Sequence, residues 1–205
     1  MNGSILNVDK YRVVILDDFY SKFEYDAILD ECLFFSKRNK LLPPKDTASA
    51  ESPEGEYLKN NSGIFLHQVF NNSNCSDILY YNRKVTHPEI AKQLTEIDIL
   101  YRSLINCNKM GTLLSYYENE GYYRSHHDNS VITAITWVYK EPKTFIGGNL
   151  FFENDKKNVV ECRNNRTVFF PSFLRHEVEK IKMNEDKIGL GFGRFAISQF
   201  IFHSY

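Results

Sequence analysis

Cysteine and tryptophan are scarce in this chain, and neither sign of charge is in excess: four cysteines, one tryptophan, and 25 basic against 26 acidic side chains. Cys32, Cys75, Cys107 and Cys162 are scattered, with no C-x-x-C pair. That spacing argues against a zinc knuckle or a redox dithiol and suits free thiols in a reducing compartment. Without a basic surplus there is no general footprint for phosphate, so no nucleic-acid partner is expected. No apolar run approaches the length that crosses a bilayer, and Met1 to Lys10 lacks the basic-then-apolar pattern of a secretory leader. A cytoplasmic protein without a membrane partner is the expectation. What the chain does hold is 42% hydrophobic residues over a length of 205, with 15% aromatics that are mostly Phe and Tyr. That is enough for one domain with a sizeable core.

Helical signals come first. Arg12 to Leu16 reads as a short buried strand. Ser21 and Glu24 then have capping-box spacing, and Tyr25, Ile28, Leu29, Cys32 and Phe35 follow at helical intervals toward the basic run Lys37-Arg38-Asn39-Lys40. Residues 41–62 contain Pro43-Pro44, Pro53 and Gly55 and read as a long loop, a candidate lid. Ile64 to Phe70 reads as a strand beside it. A second helix is expected from Thr86, with Pro88 in its first turn and a stripe of Ile90, Leu94, Ile97, Tyr101 and Leu104. After Cys107 the texture changes to short strands, expected over 112–117, 131–139, 149–153, 158–162, 167–170, 176–181 and 195–202, with turns at Gly147-Gly148 and Pro171-Ser172. Helices followed by strands point to an α+β, mainly β architecture in which the strands carry the site.

His126-His127-Asp128 and the distant His176 offer metal-ligand chemistry. Two imidazoles and one carboxylate on one face of a first-row metal leave the opposite face open. In an extended segment, residues two apart point the same way, so His126 and Asp128 can reach one ion while His127 points elsewhere. The third ligand must then come from another strand. Taken alone, an H-x-D is more often a pair of surface groups near a turn. The surroundings shift that balance: Tyr116, Gly121 and Tyr123 precede it, Gly147-Gly148-Asn149-Leu150 follows, and Phe169-Phe170-Pro171-Ser172 leads to His176-Glu177-Val178. Gly193-Arg194-Phe195 then opens the last strand.

In this ordered pattern, from about Leu113 to Phe202, the chain resembles the iron(II)/2-oxoglutarate dioxygenases of the prolyl-4-hydroxylase type. The resemblance implies a double-stranded β-helix, a jelly-roll or cupin-like core with N-terminal supporting helices. It implies one domain over 1–205, with helical support and substrate loops in 1–107 and the core in 108–205. His126, Asp128 and His176 map onto the iron ligands. Arg194 maps onto the basic residue that binds the distal carboxylate of 2-oxoglutarate, a role for which its planar fork is suited. Tyr116 maps onto a tyrosine that helps hold this cosubstrate, Trp137 onto a pocket wall, Leu150 onto a residue closing the cosubstrate pocket, and Tyr123 onto the substrate entrance. Alternation puts Thr133, Ile135 and Trp137 on one face of their strand without saying which face looks inward. The implied cofactors are Fe(II), 2-oxoglutarate and O2, with ascorbate as a further candidate.

Two departures stand out. The interval from His176 to Arg194 is longer than in compact prolyl hydroxylases and carries Lys182 to Lys187, expected as an extended hairpin. Related nucleobase-repair enzymes have a second arginine six residues after the first, where this chain has Phe200, which speaks against base repair. The expected activity is hydroxylation of a C–H bond in a protein or peptide residue such as proline. Hydroxylation of a free amino acid or small metabolite is the alternative, and a non-catalytic cupin-like binding domain a third reading.

Overall fold

The computed structural model describes residues 2–37 and 40–203. The chain opens with an antiparallel hairpin, β1 (Asn2–Val8) and β2 (Tyr11–Asp17), and continues into α1 (Lys22–Lys37). Ser21 and Glu24 cap α1 as their spacing predicts: the Ser21 amide donates to Glu24 Oε2 at 2.7 Å and the Glu24 amide to Ser21 Oγ at 3.4 Å. Of the basic run after α1, Arg38 and Asn39 lie outside the described residues. Next come β3 (Lys59–Asn60), β4 (Ser62–Phe65), and the helices α2 (Leu66–Val69), α3 (Asp77–Tyr81) and α4 (Pro88–Ile97). The remaining strands are β5 (Lys109–Tyr117), β6 (Tyr122–His126), β7 (Ile132–Val138), β8 (Phe145–Ile146), β9 (Leu150–Phe152), β10 (Asp155–Val160), β11 (Thr167–Pro171), β12 (His176–Val178), β13 (Lys182–Met183) and β14 (Arg194–Phe202). Among the described residues, no helix is long and apolar enough to cross a membrane.

Two sheets hold the core. One has seven strands in the order β1-β2-β11-β7-β14-β5-β4, the other five in the order β10-β9-β12-β6-β3. Strand β7 shows how the layers form. Ile132, Ala134 and Val138 belong to a cluster with Ile28, Cys32 and Phe35 of α1 and Ile90, Ala91 and Leu94 of α4. Ile135 and Trp137 belong to a second cluster with Leu150, Phe152 and Val178 of the smaller sheet. The period-2 alternation thus sends one face of the large sheet to the helices and the other to the small sheet. Each large apolar side chain so buried contributes about 1.5–3 kcal/mol. The face of β7 left open by sequence is now settled: Thr133, Ile135 and Trp137 look between the sheets.

Several expectations need correction. Ile64 to Phe70 is not one strand; β4 ends at Phe65 and α2 begins at Leu66. The second helix does not run from Thr86 to Leu104. It starts at Pro88 with His87 as its N-cap, and a separate 3-10 turn, Ile99–Leu104, capped by Asp98, carries Tyr101 and Leu104 into the core. Residues 182–187 do not form a hairpin of their own. β13 pairs instead with the distant β8, and a 3-10 turn, Glu185–Lys187, follows.

Candidate metal and keto-acid site

His126 closes β6 and His176 opens β12, and the two are register partners across that antiparallel pair. Their rings sit 4.3 Å apart between centroids. Asp128 lies two residues past the end of β6, held there by its amide, which donates to Ser172 O at 3.0 Å. Its Oδ1 is 3.8 Å from His126 Nε2, and its Oδ2 is 3.6 Å from His176 Nε2. One ligand atom from each residue lies within 4.8 Å of the others, a group that could hold a metal ion.

The protonation of the site follows from its hydrogen bonds. His126 Nδ1 meets Arg124 O at 2.8 Å and His176 Nδ1 meets Leu174 O at 2.9 Å. A carbonyl only accepts, so both Nδ1 atoms carry the hydrogen and both Nε2 lone pairs turn toward Asp128. Burial pushes the His126 pKa well below its ordinary value, and the neighbouring His176 adds to this. The neutral imidazole is the ligating form. Thr133 Oγ1 donates to Asp128 Oδ2 at 2.7 Å, and Ser130 and Ser172 hydroxyls tie Thr133 into a buried cluster. These hydroxyls orient the carboxylate. The one sequence signal for Thr133 was its shared face with Trp137.

Arg194 opens β14 opposite Tyr117 of β5 and is 1% exposed. Its Nε and Nη1 are buried without a hydrogen-bond partner among the described residues. Tyr117 and Trp137 flank its guanidinium, with ring centroids 4.8 and 5.4 Å from Cζ. Buried guanidinium nitrogens left unsatisfied are costly, and a carboxylate is the group that would satisfy them. The Gly147-Gly148 turn makes room for this side chain. Gly148 has φ +78°, and a Cβ there would meet Arg194 Cδ at 3.0 Å.

Arg194 shares a narrow pocket with His126, Asp128 and His176, completed by alternating residues of β5 and β14 such as Ser115, Tyr117, Ala196 and Ser198. Its free volume is about 40 Å³, little more than one water's share of about 30 Å³. Asp128 also borders a wider cleft of about 410 Å³, walled by residues 47–50 and by His127 to Ser130.

The structure brings His126, Asp128, His176 and Arg194 together and leaves His127 exposed on the cleft. Tyr123 lines both pocket and cleft, its ring stacked on His126 at 3.5 Å and its hydroxyl accepting from the Ala50 amide at 3.1 Å. Tyr116 is a correction. It stacks on Phe195 at 4.4 Å on the helix side of the large sheet, and its hydroxyl donates to Glu118 Oε1 and accepts from the Gly193 amide. Strand alternation puts its neighbour Tyr117 on the pocket instead. Leu150 is also corrected: it is fully buried between the sheets, opposite Val178, and does not line the pocket. Trp137 backs Arg194 without lining the pocket.

Comparison with known proteins bears on the family and the fold. Residues 112–202 match the family model of the 2OG-Fe(II) oxygenase superfamily. No curated protein sequence matches the chain. Among solved structures, a prolyl-4-hydroxylase from Pseudomonas putida superposes with a TM-score of 0.63 at 14% identity, over 95% of this chain and 94% of its own. A Trichoplax adhaerens prolyl hydroxylase, solved with a peptide fragment of the hypoxia inducible factor oxygen degradation domain, gives 0.59 at 14% identity, over 93% and 83%. A 2OG-Fe(II) oxygenase family oxidoreductase from Burkholderia pseudomallei gives 0.56 at 12%, over 92% and 84%. At such identities these likenesses show the fold, a double-stranded β-helix. The family match lies over residues 112–202, the strands that carry the site, and with this 2OG-Fe(II) oxygenase region the chain is a 2-oxoglutarate-dependent dioxygenase.

Proposed function

We propose that this dioxygenase hydroxylates a C–H bond of a protein or peptide residue such as proline, with iron(II) held by His126, Asp128 and His176 and the distal carboxylate of 2-oxoglutarate held by Arg194. The observation that carries the site assignment is the pair of buried guanidinium nitrogens of Arg194, Nε and Nη1, left without a hydrogen-bond partner among the described residues in the same pocket as the three candidate ligands. A metal-binding cupin of another chemistry would have no use for it. Bound iron and 2-oxoglutarate supply oxygen activation, with succinate and carbon dioxide as co-products. The chain's own residues do the rest. His126 and His176 present neutral Nε2 atoms because their Nδ1 hydrogens are committed to carbonyls. Thr133 steers Asp128. Tyr117 and Trp137 enclose Arg194 and keep water from its charge. Ascorbate would serve as an accessory reductant.

A peptide substrate is supported by the cleft beside Asp128, which lies at the surface between residues 47–50 and 127–130. The expected lid, 41–62, forms one wall of it. We also propose that the whole chain works as one domain, residues 1–107 bracing and walling the core in 108–205.

Anaerobic titration with iron(II) and then 2-oxoglutarate tests the site. A weak visible charge-transfer band should form and should be lost in His176→Ala. In Arg194→Gln the 2-oxoglutarate needed to develop it should rise about 10–100-fold, with iron affinity nearly unchanged. Equal losses of both ligands would show that Arg194 has another role.

A further inference from the structure

Lys59 is the buried cation that the site chemistry leaves unused. It is 4% exposed, on β3, paired in register with Tyr123 of β6. Its Nζ donates to Thr47 O at 2.8 Å and sits 5.5 Å from the centroid of the Tyr123 ring, which in turn stacks on His126. An ammonium has three donors, and Thr47 O is the one acceptor it meets among the described residues. No carboxylate lies within ion-pairing distance of it there. Of the residues lining the cleft, Lys59 is the only Lys or Arg and Asp128 the only Asp or Glu. Once Asp128 ligates a metal, it no longer serves as a counter-charge. The cleft then presents a desolvated cation beside the apolar side chains of Phe65, Leu113 and Phe200. Burial lowers the Lys59 pKa to about 8, with Asp128 opposing that shift.

We propose that Lys59 determines substrate specificity, its ammonium anchoring a carboxylate of a substrate whose apolar part lies along the cleft toward Asp128. This rests on the oxygenase reading above. The chemistry is that of a carboxylate, whether from an Asp or Glu within a peptide, a peptide C-terminus, or a free amino acid. A purely structural Lys59 would only tie β3 to Thr47.

The test uses acetylated, amidated peptides with internal Asp or Glu, the same peptides with neutral residues there, the neutral peptides with a free C-terminus, and free apolar amino acids. Equilibrium dialysis against the manganese- and 2-oxoglutarate-loaded protein reads binding. Mass spectrometry of one-oxygen products from the iron-loaded enzyme reads turnover. Members of a carboxylate-bearing set should bind and gain oxygen while the neutral blocked peptides do not, and the set that responds identifies the source. Lys59→Met should cut that preference about tenfold or more, and Lys59→Arg should restore most of it. Three results would each overturn the proposal: neutral blocked peptides handled as well as acidic ones, no carboxylate-bearing probe bound, or an unchanged preference in Lys59→Met. Absence of any succinate release from the iron-loaded wild type would instead remove the oxygenase reading beneath it.

Discussion

Each site histidine takes its tautomer from a carbonyl two residues earlier in the chain, Arg124 for His126 and Leu174 for His176. Those carbonyls are backbone, so no point substitution removes them, and the orientation of Asp128 is the more vulnerable part. It hangs on the hydroxyl of Thr133, itself fully buried. Thr133→Val keeps the shape and deletes the donor. Iron(II) affinity should fall about 10–100-fold in an anaerobic titration while the fold survives, the usual scale for losing such an orienting partner. At this scale the sequence was readable where chemistry restricts choice. An H-x-D, a remote histidine and an arginine opening the last strand have few substitutes. It was unreadable where only parity decides. Tyr116 and Tyr117 are adjacent on β5 and face opposite ways, and the register that places Tyr117 beside Arg194 comes from pairing with residues 77 or more positions later. Lys59 looks like any lysine in a polar loop, and its burial comes from pairing with a strand more than 60 residues on.

Among elements, the turn at Gly147-Gly148 offers two contrasting tests. A Cβ at Gly147 would strike the backbone oxygen of Lys180 at 2.3 Å, which cannot yield, whereas one at Gly148 would press on the flexible Arg194 side chain. Both residues have positive φ, so alanine at either costs about 1–2 kcal/mol in backbone strain. Thermal unfolding should show Gly147→Ala as the less stable of the two. Gly148→Ala should fold better and instead weaken 2-oxoglutarate binding, read from the same visible band. The motif was plain in the sequence; its reason, clearance for the arginine, needed the third dimension.

The tie between Asp17 at the end of β2 and Arg166 before β11 allows a pH test. Asp17 takes two hydrogen bonds from the guanidinium, at 2.6 and 2.9 Å. The Arg166 hydrogen bond, opposed by burial, holds the Asp17 carboxyl below its usual range. A depressed carboxylate pKa gives stability that is fully present above the unfolded value of about 3.9 and disappears as pH falls through the folded value. Asp17→Asn should therefore cost about 1–2 kcal/mol in urea unfolding at neutral pH, with the gap from wild type closing only in acid below pH of about 4.

For the whole molecule, ligand binding and stability are linked. Manganese and 2-oxoglutarate at about 100 times their dissociation constants should each add up to about 2.7 kcal/mol, a rise of several degrees in Tm at this chain length. The rise should vanish in His176→Ala and persist in His127→Ala, since His127 stands outside the ligand group. An unchanged rise in His176→Ala would locate the metal elsewhere.

The two histidines belong to the five-stranded sheet, and the arginine to the seven-stranded one. A metal alone thus rivets neighbouring strands within one layer, whereas a chelating dicarboxylate reaching Arg194 would staple the layers to each other. Hydrogen exchange should register the difference as two nested footprints. Metal slows the amides of β6 and β12, and the cosubstrate extends that slowing into β5 and β14.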